Sequence, residues 1–369
     1  MGGASDEREV SLASGRAVLG GLKRAGVEAV GVDWDGGPRL IESILAAVDE
    51  PRPLVFLVLH GGAGEDGTVQ ACLSLAGLPY TGSGVAASAI GMDKLACKRI
   101  WAGAGLPVVP YRVVSRHAAV DESGESSSRP PRPRVTAIDS PLENELEQWL
   151  EALIDDVPGD GIDRRVGPWP VVVKPAAAGS SLGVHIVTSA AEWAQAVFDA
   201  ARFPGEILVE RYLEGREFTV GIVGDRVLPP VEIIVEGGFY DYDAKYVSDR
   251  TRYVCPPDLS NDELATMARL ARSAFVALGA SGWGRVDFLR DGAGRLFLLE
   301  INTAPGMTDH SLVPKAATAI GWDFARLCVE ILATVREAEP AGPVIESASC
   351  RSPREGSAAE NQGEPGVET

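Results

Sequence analysis

Thiol, histidine and cationic content are all low in this chain of 369 residues. There are five cysteines, Cys72, Cys97, Cys255, Cys328 and Cys350. The number is odd, the spacings are wide and no CxxC pair occurs. That argues against a disulfide framework or a thiolate zinc site and favours a reducing cytosol. The four histidines lack metal-ligand spacing. No apolar run reaches the length of a membrane span, and the opening MGGASDEREV has no apolar core of signal-peptide type. Lysine and arginine number 34 against 52 acidic residues, for a formal net charge of -18. Such a chain has no general attraction to nucleic acid or anionic lipid. A soluble, cytoplasmic protein with neither partner is expected. GxxxxGK[ST] is absent, which excludes a Walker A phosphate loop.

What is present is apolar content, at 45%, spread over a length too great for one core, so two or three domains are expected. Residues 1–92 read as α/β. VEAVGVD (27–33) and LVFLVLH (54–60) are short, apolar and β-branched, as buried parallel strands are. SLASGRAVLGGLKRAG (11–26) has helical periodicity and ends on glycine. Residues 93–210 open with a helix at MDKLACKRIWAGAG. Within them, residues 116–140 have no hydrophobic period and read as a flexible insertion. NELEQWLEALIDD (144–156) reads as a helix, WPVVVKPAAAGSSLGVHIV (169–187) as strand, Gly/Ser loop and strand, and ILVERYL as a further strand. Residues 211–337 carry strands at EFTVGIV, RVLPPVEII, GWGRVDFLR and RLFLLEIN, closed by the helix DFARLCVEILATVREAE. Residues 338–369 read as a disordered tail.

Chemistry concentrates at 282–314. Asp291-Gly292-Ala293-Gly294 is a hairpin turn signal. With Arg290 opposite Arg295, Asp287 would face Leu298 and Arg285 would face Glu300. Period-two alternation then puts Arg285, Asp287, Glu300 and Asn302 on one face. Two carboxylates and an amide oxygen suit Mg²⁺, and the arginine suits a developing anion. A solvated face carrying an ion pair is the alternative. KPAAAGSSLGV (174–184) offers Lys174 and loop donors to phosphate oxygens, although a plain hairpin loop is the commoner use of such a sequence. Lys94, Glu210 and Glu217 are further candidates that would, taken alone, be surface charges. His60 opens the glycine-rich HGGAGEDGTVQ at a strand's carboxyl end, where α/β sheets bind ligands. A turn that simply needs its glycines is the alternative.

Together these motifs resemble the D-alanine–D-alanine ligases of the ATP-grasp superfamily. The matching blocks run in the family's order from Gly2 to about Glu337: GGASDEREVSLASG, LHGGAGEDGTVQ, LPYTGSGVAASAIGMDKLACK, VVVKPAAAGSSLGV, EFTVGIV, FYDYDAKY, GWGRVDF and LLEINTAPGMTDHSLVP. The resemblance implies an α+β ATP-grasp fold. It would comprise an N-terminal Rossmann-like parallel-sheet domain, a small central α+β lid and a C-terminal antiparallel-sheet domain. It implies ATP, two Mg²⁺ (or Mn²⁺) ions, D-alanine as substrate, and a homodimer. Glu9 would hold the first D-alanine's ammonium, with His60 nearby. Lys94, Lys174, Ser181, Glu210, Glu217 and the backbone groups of Arg211 and Leu213 would contact ATP. Lys245 and Tyr246 would lie on a mobile loop that covers the site, Lys245 and Ser180 would add to the ATP contacts, and Ser180 and Tyr246 would join Glu9 in a hydrogen-bonded network. Asp287, Glu300 and Asn302 would ligate the metal, Arg285 and the Gly306 N–H would form the oxyanion site, and Ser311 and Leu312 would take the second D-alanine's carboxylate.

Two departures accompany the match. The family places an apolar strand directly before the Gly-Gly-Ala-Ser turn, where this chain has Met1, so the first sheet is expected to lack a central strand. Ala178 stands where many members carry a glutamate. The alternatives are a D-alanine–D-lactate ligase and an inactive ATP-binding remnant.

Overall fold

The computed structural model describes residues 1–49, 52–114, 169–179, 181–235, 251–308 and 310–335. The insertion at 116–140, the helix expected at 144–156, the tail, and Ser180, Lys245 and Tyr246 lie outside them.

The chain opens on α1 (Arg8–Arg24), whose Ser14, Val18 and Leu22 turn inward. Short helices follow: α2 (Leu40–Ala46), α3 (Thr68–Leu75) and α4 (Val85–Gly91). Around them the runs 27–33 and 54–60 are extended. Leu57, Val58 and Leu59 are buried as expected, but neither run forms a paired parallel ladder and the first is not buried. The parallel bridges here among the described residues are isolated, Gly2 with Trp34 just beyond the first run and Val55 of the second run with Tyr80. A ladder needs a neighbour about 4.8 Å away. Here both runs instead line an apolar cavity of about 750 Å³. Val30 is 55% exposed, so the first run is not core.

α5 (Lys94–Gly103) is capped by Asp93, whose side chain accepts from the Leu95 and Ala96 N–H groups. After it comes a four-stranded antiparallel sheet built from β1 (Tyr111–Val114), β2 (Val171–Pro175), β3 (His185–Val187) and β4 (Ile207–Arg211). Its order is β1-β4-β2-β3, and α6 (Ala190–Ala201) packs on it through Trp193, Ala196, Val197 and Ala200. The expected strand–loop–strand at 169–187 is present as β2 and β3.

The larger sheet is also antiparallel, in the order β10-β9-β5-β7-β8 with β6 paired to β5. Its members are β5 (Gly215–Val223), β6 (Arg226–Val227), β7 (Val231–Val235), β8 (Thr251–Val254), β9 (Trp283–Asp291) and β10 (Leu296–Asn302). Phe218, Val220, Val286, Phe288 and Leu298 are fully buried on one face. They pack with α5 and with α7 (Asn261–Ala277), a helix opened by a Ser260–Glu263 capping box. α8 (Leu312–Ala319) and α9 (Phe324–Leu332) share a second core with α1. Among the described residues no helix is long and apolar enough to cross a membrane, and Cys72, Cys97, Cys255 and Cys328 are unbridged.

Candidate active site

The hairpin β9–β10 carries the expected residues, but by a different register. Arg290 pairs with Leu296, not Arg295, and a bulge between Leu298 and Glu300 then sets Glu300 opposite Asp287 and Asn302 opposite Arg285. Without the bulge, the pairing near the turn would bring Leu299 opposite Asp287. A one-residue slip moves every side chain to the other face. The register near the turn and the bulge each displace the pairing by one residue, and the two displacements restore the phase. Asp287, Glu300, Arg285 and Asn302 therefore share a face. β5 adds Thr219, opposite Asp287, and Glu217 two residues away on the same face.

Polar partners hold this cluster. Thr219 donates to Asp287 Oδ1 at 2.6 Å, and Arg285 Nη1 lies 3.0 Å from Asp287 Oδ2. Lys94 Nζ reaches across from the start of α5 to the Ala178 carbonyl at 2.6 Å and to Glu300 Oε2 at 3.2 Å. Asn302 Oδ1 accepts from the Ala304 N–H. Asp287 and Glu300 supply two hard anionic oxygens, with the Asn302 amide beside them. That donor set suits a divalent cation of the Mg²⁺ type, with the remaining positions left to water or phosphate oxygens. No larger group of three or more carboxylate, histidine or cysteine ligands occurs among the described residues.

Two cavities meet at this cluster. One, of about 360 Å³, is lined by Lys174, Ser181, Glu210, Arg211, Leu213, Glu217, Asp287 and Glu300. The other, of about 790 Å³, is lined by Glu7, Glu9, His60, Glu65, Arg285, Asn302, Gly306, Ser311 and Leu312. Lys94, Ala178 and Glu300 line both. Of the described residues, those expected to contact the nucleotide thus line one cavity and those expected to contact the amino acids the other.

In the smaller cavity, β2 and β4 set Lys174 and Glu210 on one face as diagonal neighbours. Lys174 Nζ lies 2.9 Å from Glu210 Oε2. Lys98, one helical turn after Lys94, brings its Nζ to 2.9 Å from Glu210 Oε1. That approach is an ion pair not aligned as a hydrogen bond. Burial raises the Glu210 carboxyl, but the two lysines outweigh it and hold it below the usual carboxylate value. Ser181 has φ 59, a left-handed conformation at the turn of the Gly/Ser loop.

In the larger cavity, His60 is buried and its Nε2 lies 3.0 Å from Ser14 Oγ, which also accepts the Met307 N–H. Burial drives the imidazole down to about 4, opposed by a hydrogen bond to the Ala304 backbone. His60 is therefore neutral and ties α1 to the loop after β10. Glu65 is the residue whose chemistry the sequence hid. It is 8% exposed and accepts the Gly61 N–H at 2.9 Å. Burial, and then the charge of Glu7, raise its carboxyl to about 8. Gly61 must be glycine. Its φ is +71, and a Cβ there would meet Glu7 Oε2 at 2.9 Å. Glu7 is accordingly half-buried against this turn, whereas Glu9, the expected ammonium ligand, lines the cavity but is exposed. The spacing EREV leaves either glutamate possible, and only the position of the helix start separates them. Ser311 precedes α8, but its Oγ binds the Thr308 N–H and hydroxyl rather than capping its own helix. The first-turn N–H groups of α8 are therefore not capped by that side chain.

Two family models match the chain. One, described as the D-ala D-ala ligase N-terminus, matches residues 35–83, and the other, the D-ala D-ala ligase C-terminus, matches residues 162–333. Together they span more than half of it. Among solved structures, the chain is similar to a D-alanine–D-alanine ligase from Bacillus anthracis complexed with ATP. The identity is 26% and the TM-score 0.67, over 90% of this chain and 94% of that one. A second structure of the Bacillus anthracis ligase matches at 28% identity and TM-score 0.67, over 90% and 95%.

Proposed function

The chain belongs to the D-alanine–D-alanine ligase family, and from that premise we propose that it joins two D-alanines, using ATP, through an acyl phosphate, and that the dipeptide formed feeds peptidoglycan-precursor synthesis in the cytoplasm. The observation that carries the reading is the meeting of the two cavities at Lys94 and Glu300, beside a bulge-phased Asp287–Glu300 pair.

A carboxylate is a poor electrophile, so activation precedes condensation. The first D-alanine lies in the larger cavity with its ammonium toward Glu7 and Glu9, Glu7 being the better placed of the two. Its carboxylate points to the junction, where it attacks the γ-phosphorus of ATP and ADP leaves. Lys94 and Lys174 offset phosphate charge during that transfer. Asp287, Glu300 and Asn302 would hold Mg²⁺ (or Mn²⁺), which neutralises charge on the phosphates when bound. The second D-alanine binds its carboxylate at the start of α8, near Ser311 and Leu312, where free helical N–H groups favour an anion. Its amine loses a proton and attacks the acyl carbon. Arg285 and the Gly306 N–H then face the oxygen on which negative charge develops, and phosphate departs as the amide forms.

The deciding experiment is phosphate release from ATP in the presence of D-alanine, with the product identified by mass. D-alanine-dependent release and D-alanyl-D-alanine are expected. No D-alanine dependence refutes the reading, and a depsipeptide formed in preference when D-lactate competes would make the protein a D-alanine–D-lactate ligase instead.

A further inference from the structure

Lys98 has no place in the reaction just described, yet it is the least exposed charged side chain of the described residues, at 0%. It does not line either cavity at the site. Its ammonium sits behind Glu210, 5.7 Å from the centre of the Tyr111 ring. Glu210 is 3% exposed and divides its two oxygens between two lysines, with Lys98 on Oε1 and Lys174 on Oε2. Tyr111 and Val172 flank Glu210 from the adjacent strands, so the carboxylate has little freedom to turn elsewhere.

We propose that Lys98 is a positioning residue for the nucleotide: by occupying one oxygen of Glu210 it keeps Lys174 presented to the smaller cavity as a net positive charge. This rests on the ligase reading above. The charge count makes the case. Burial lowers the pKa of the Lys98 ammonium and Glu210 opposes that shift. With both ammonium groups charged on one carboxylate, this three-residue cluster carries one net positive charge. Without Lys98, the Glu210–Lys174 pair is neutral, and a buried carboxylate oxygen is left without a cation. Such an oxygen draws the remaining ammonium toward itself, because an unpaired buried charge is strongly disfavoured. Lys174 would then be held back from the phosphates. A mere tether between α5 and the four-stranded sheet is the competing role. An apolar pair would perform that as well, without the cost of burying three charges.

The experiment compares wild type with Lys98→Met, Lys98→Arg and the double variant Lys98→Met/Glu210→Gln. Calorimetry gives the Kd for ATP with Mg²⁺, and steady-state kinetics gives KM for ATP and for D-alanine. One unit charge a few ångströms from a phosphate in a partly buried site is worth roughly a 10- to 50-fold change in affinity. Lys98→Met should weaken ATP by that factor and leave KM for D-alanine within about twofold. Lys98→Arg should stay near wild type. The double variant removes the buried carboxylate together with its second partner and should bind ATP more tightly than Lys98→Met, while remaining short of wild type because Glu210 itself lines the nucleotide cavity. It also serves if Lys98→Met alone does not fold. Unchanged ATP affinity in folded Lys98→Met, equal weakening of both substrates, or a double variant that folds but binds ATP no better than Lys98→Met overturns the proposal. A wild type that binds ATP while Lys98→Met binds it equally well sinks this inference alone. A wild type that does not bind ATP removes the ligase reading as well.

Discussion

Glu65→Gln is expected to stabilise the protein, and to do so only at neutral and alkaline pH. Burial and the neighbouring Glu7 raise this carboxyl from 4.5 to about 8 in the fold. Below pH 4.5 the folded and unfolded states both hold the proton, and the group contributes no pH dependence. Between 4.5 and 8 the unfolded chain has released the proton and the folded chain retains it. Stability therefore falls with rising pH, by up to about 1.4 kcal/mol per pH unit. At pH 7 the ceiling is about 3 kcal/mol, and relaxation and water entry reduce it to roughly 1–3 kcal/mol. Glutamine keeps an oxygen to accept the Gly61 N–H and removes the titration. Urea denaturation of the ligand-free protein at pH 5, 7 and 8.5 reads this directly. The variant should match wild type within about 1 kcal/mol at pH 5 and exceed it increasingly above. A difference that is constant across the three pH values, or a variant less stable at pH 8.5, refutes the reasoning.

Two further outcomes follow from the metal face. Thr219→Val deletes the hydroxyl that donates to Asp287 at 2.6 Å. Losing a hydrogen bond to a charged group is worth roughly 1.5 kcal/mol, so the Mg²⁺ concentration for half-maximal ATP turnover should rise about tenfold. An unchanged Mg²⁺ curve would show that Asp287 is not a ligand. Arg285→Met should lower kcat by roughly 10²–10³ while ATP affinity changes little, as for the loss of one oxyanion donor. Unaltered kcat would remove Arg285 from the chemistry.

The site was legible where local pattern suffices. The β9–β10 hairpin announced itself through Asp-Gly-Ala-Gly, and its carboxylates through period-two spacing. The register was not legible. Whether a strand carries a bulge depends on how its partners pack, and here the bulge near Leu299 fits β10 to β9 while Leu298 is buried beneath. The face was nevertheless assigned correctly, because two single-residue shifts leave the parity unchanged. The N-terminal runs misled for a related reason. Apolar, β-branched composition reports a preference for extended backbone, but pairing needs a neighbour in space, and 27–33 and 54–60 do not supply it to each other. Glu7 and Glu9 are alike in sequence. Their difference in burial comes from where α1 begins relative to the Gly61 turn.

By itself, then, the sequence determined which chemical groups are available and in what order: lysines ahead of a Gly/Ser loop, paired acids on a hairpin, an arginine beside them and a helix start after a glycine. Those follow from side-chain chemistry and from periods of two and 3.6 residues, which are local. Only the tertiary structure decided which of these groups are charged and which are neutral. Glu65 keeps its proton and His60 stays without one because each is buried among residues distant in sequence. Lys98, the fourth residue after Lys94 on the same helix, becomes an interior cation because β4 brings Glu210 to it from 112 positions along the chain. Desolvation and ion pairing act through space, and they appear only when the chain has folded.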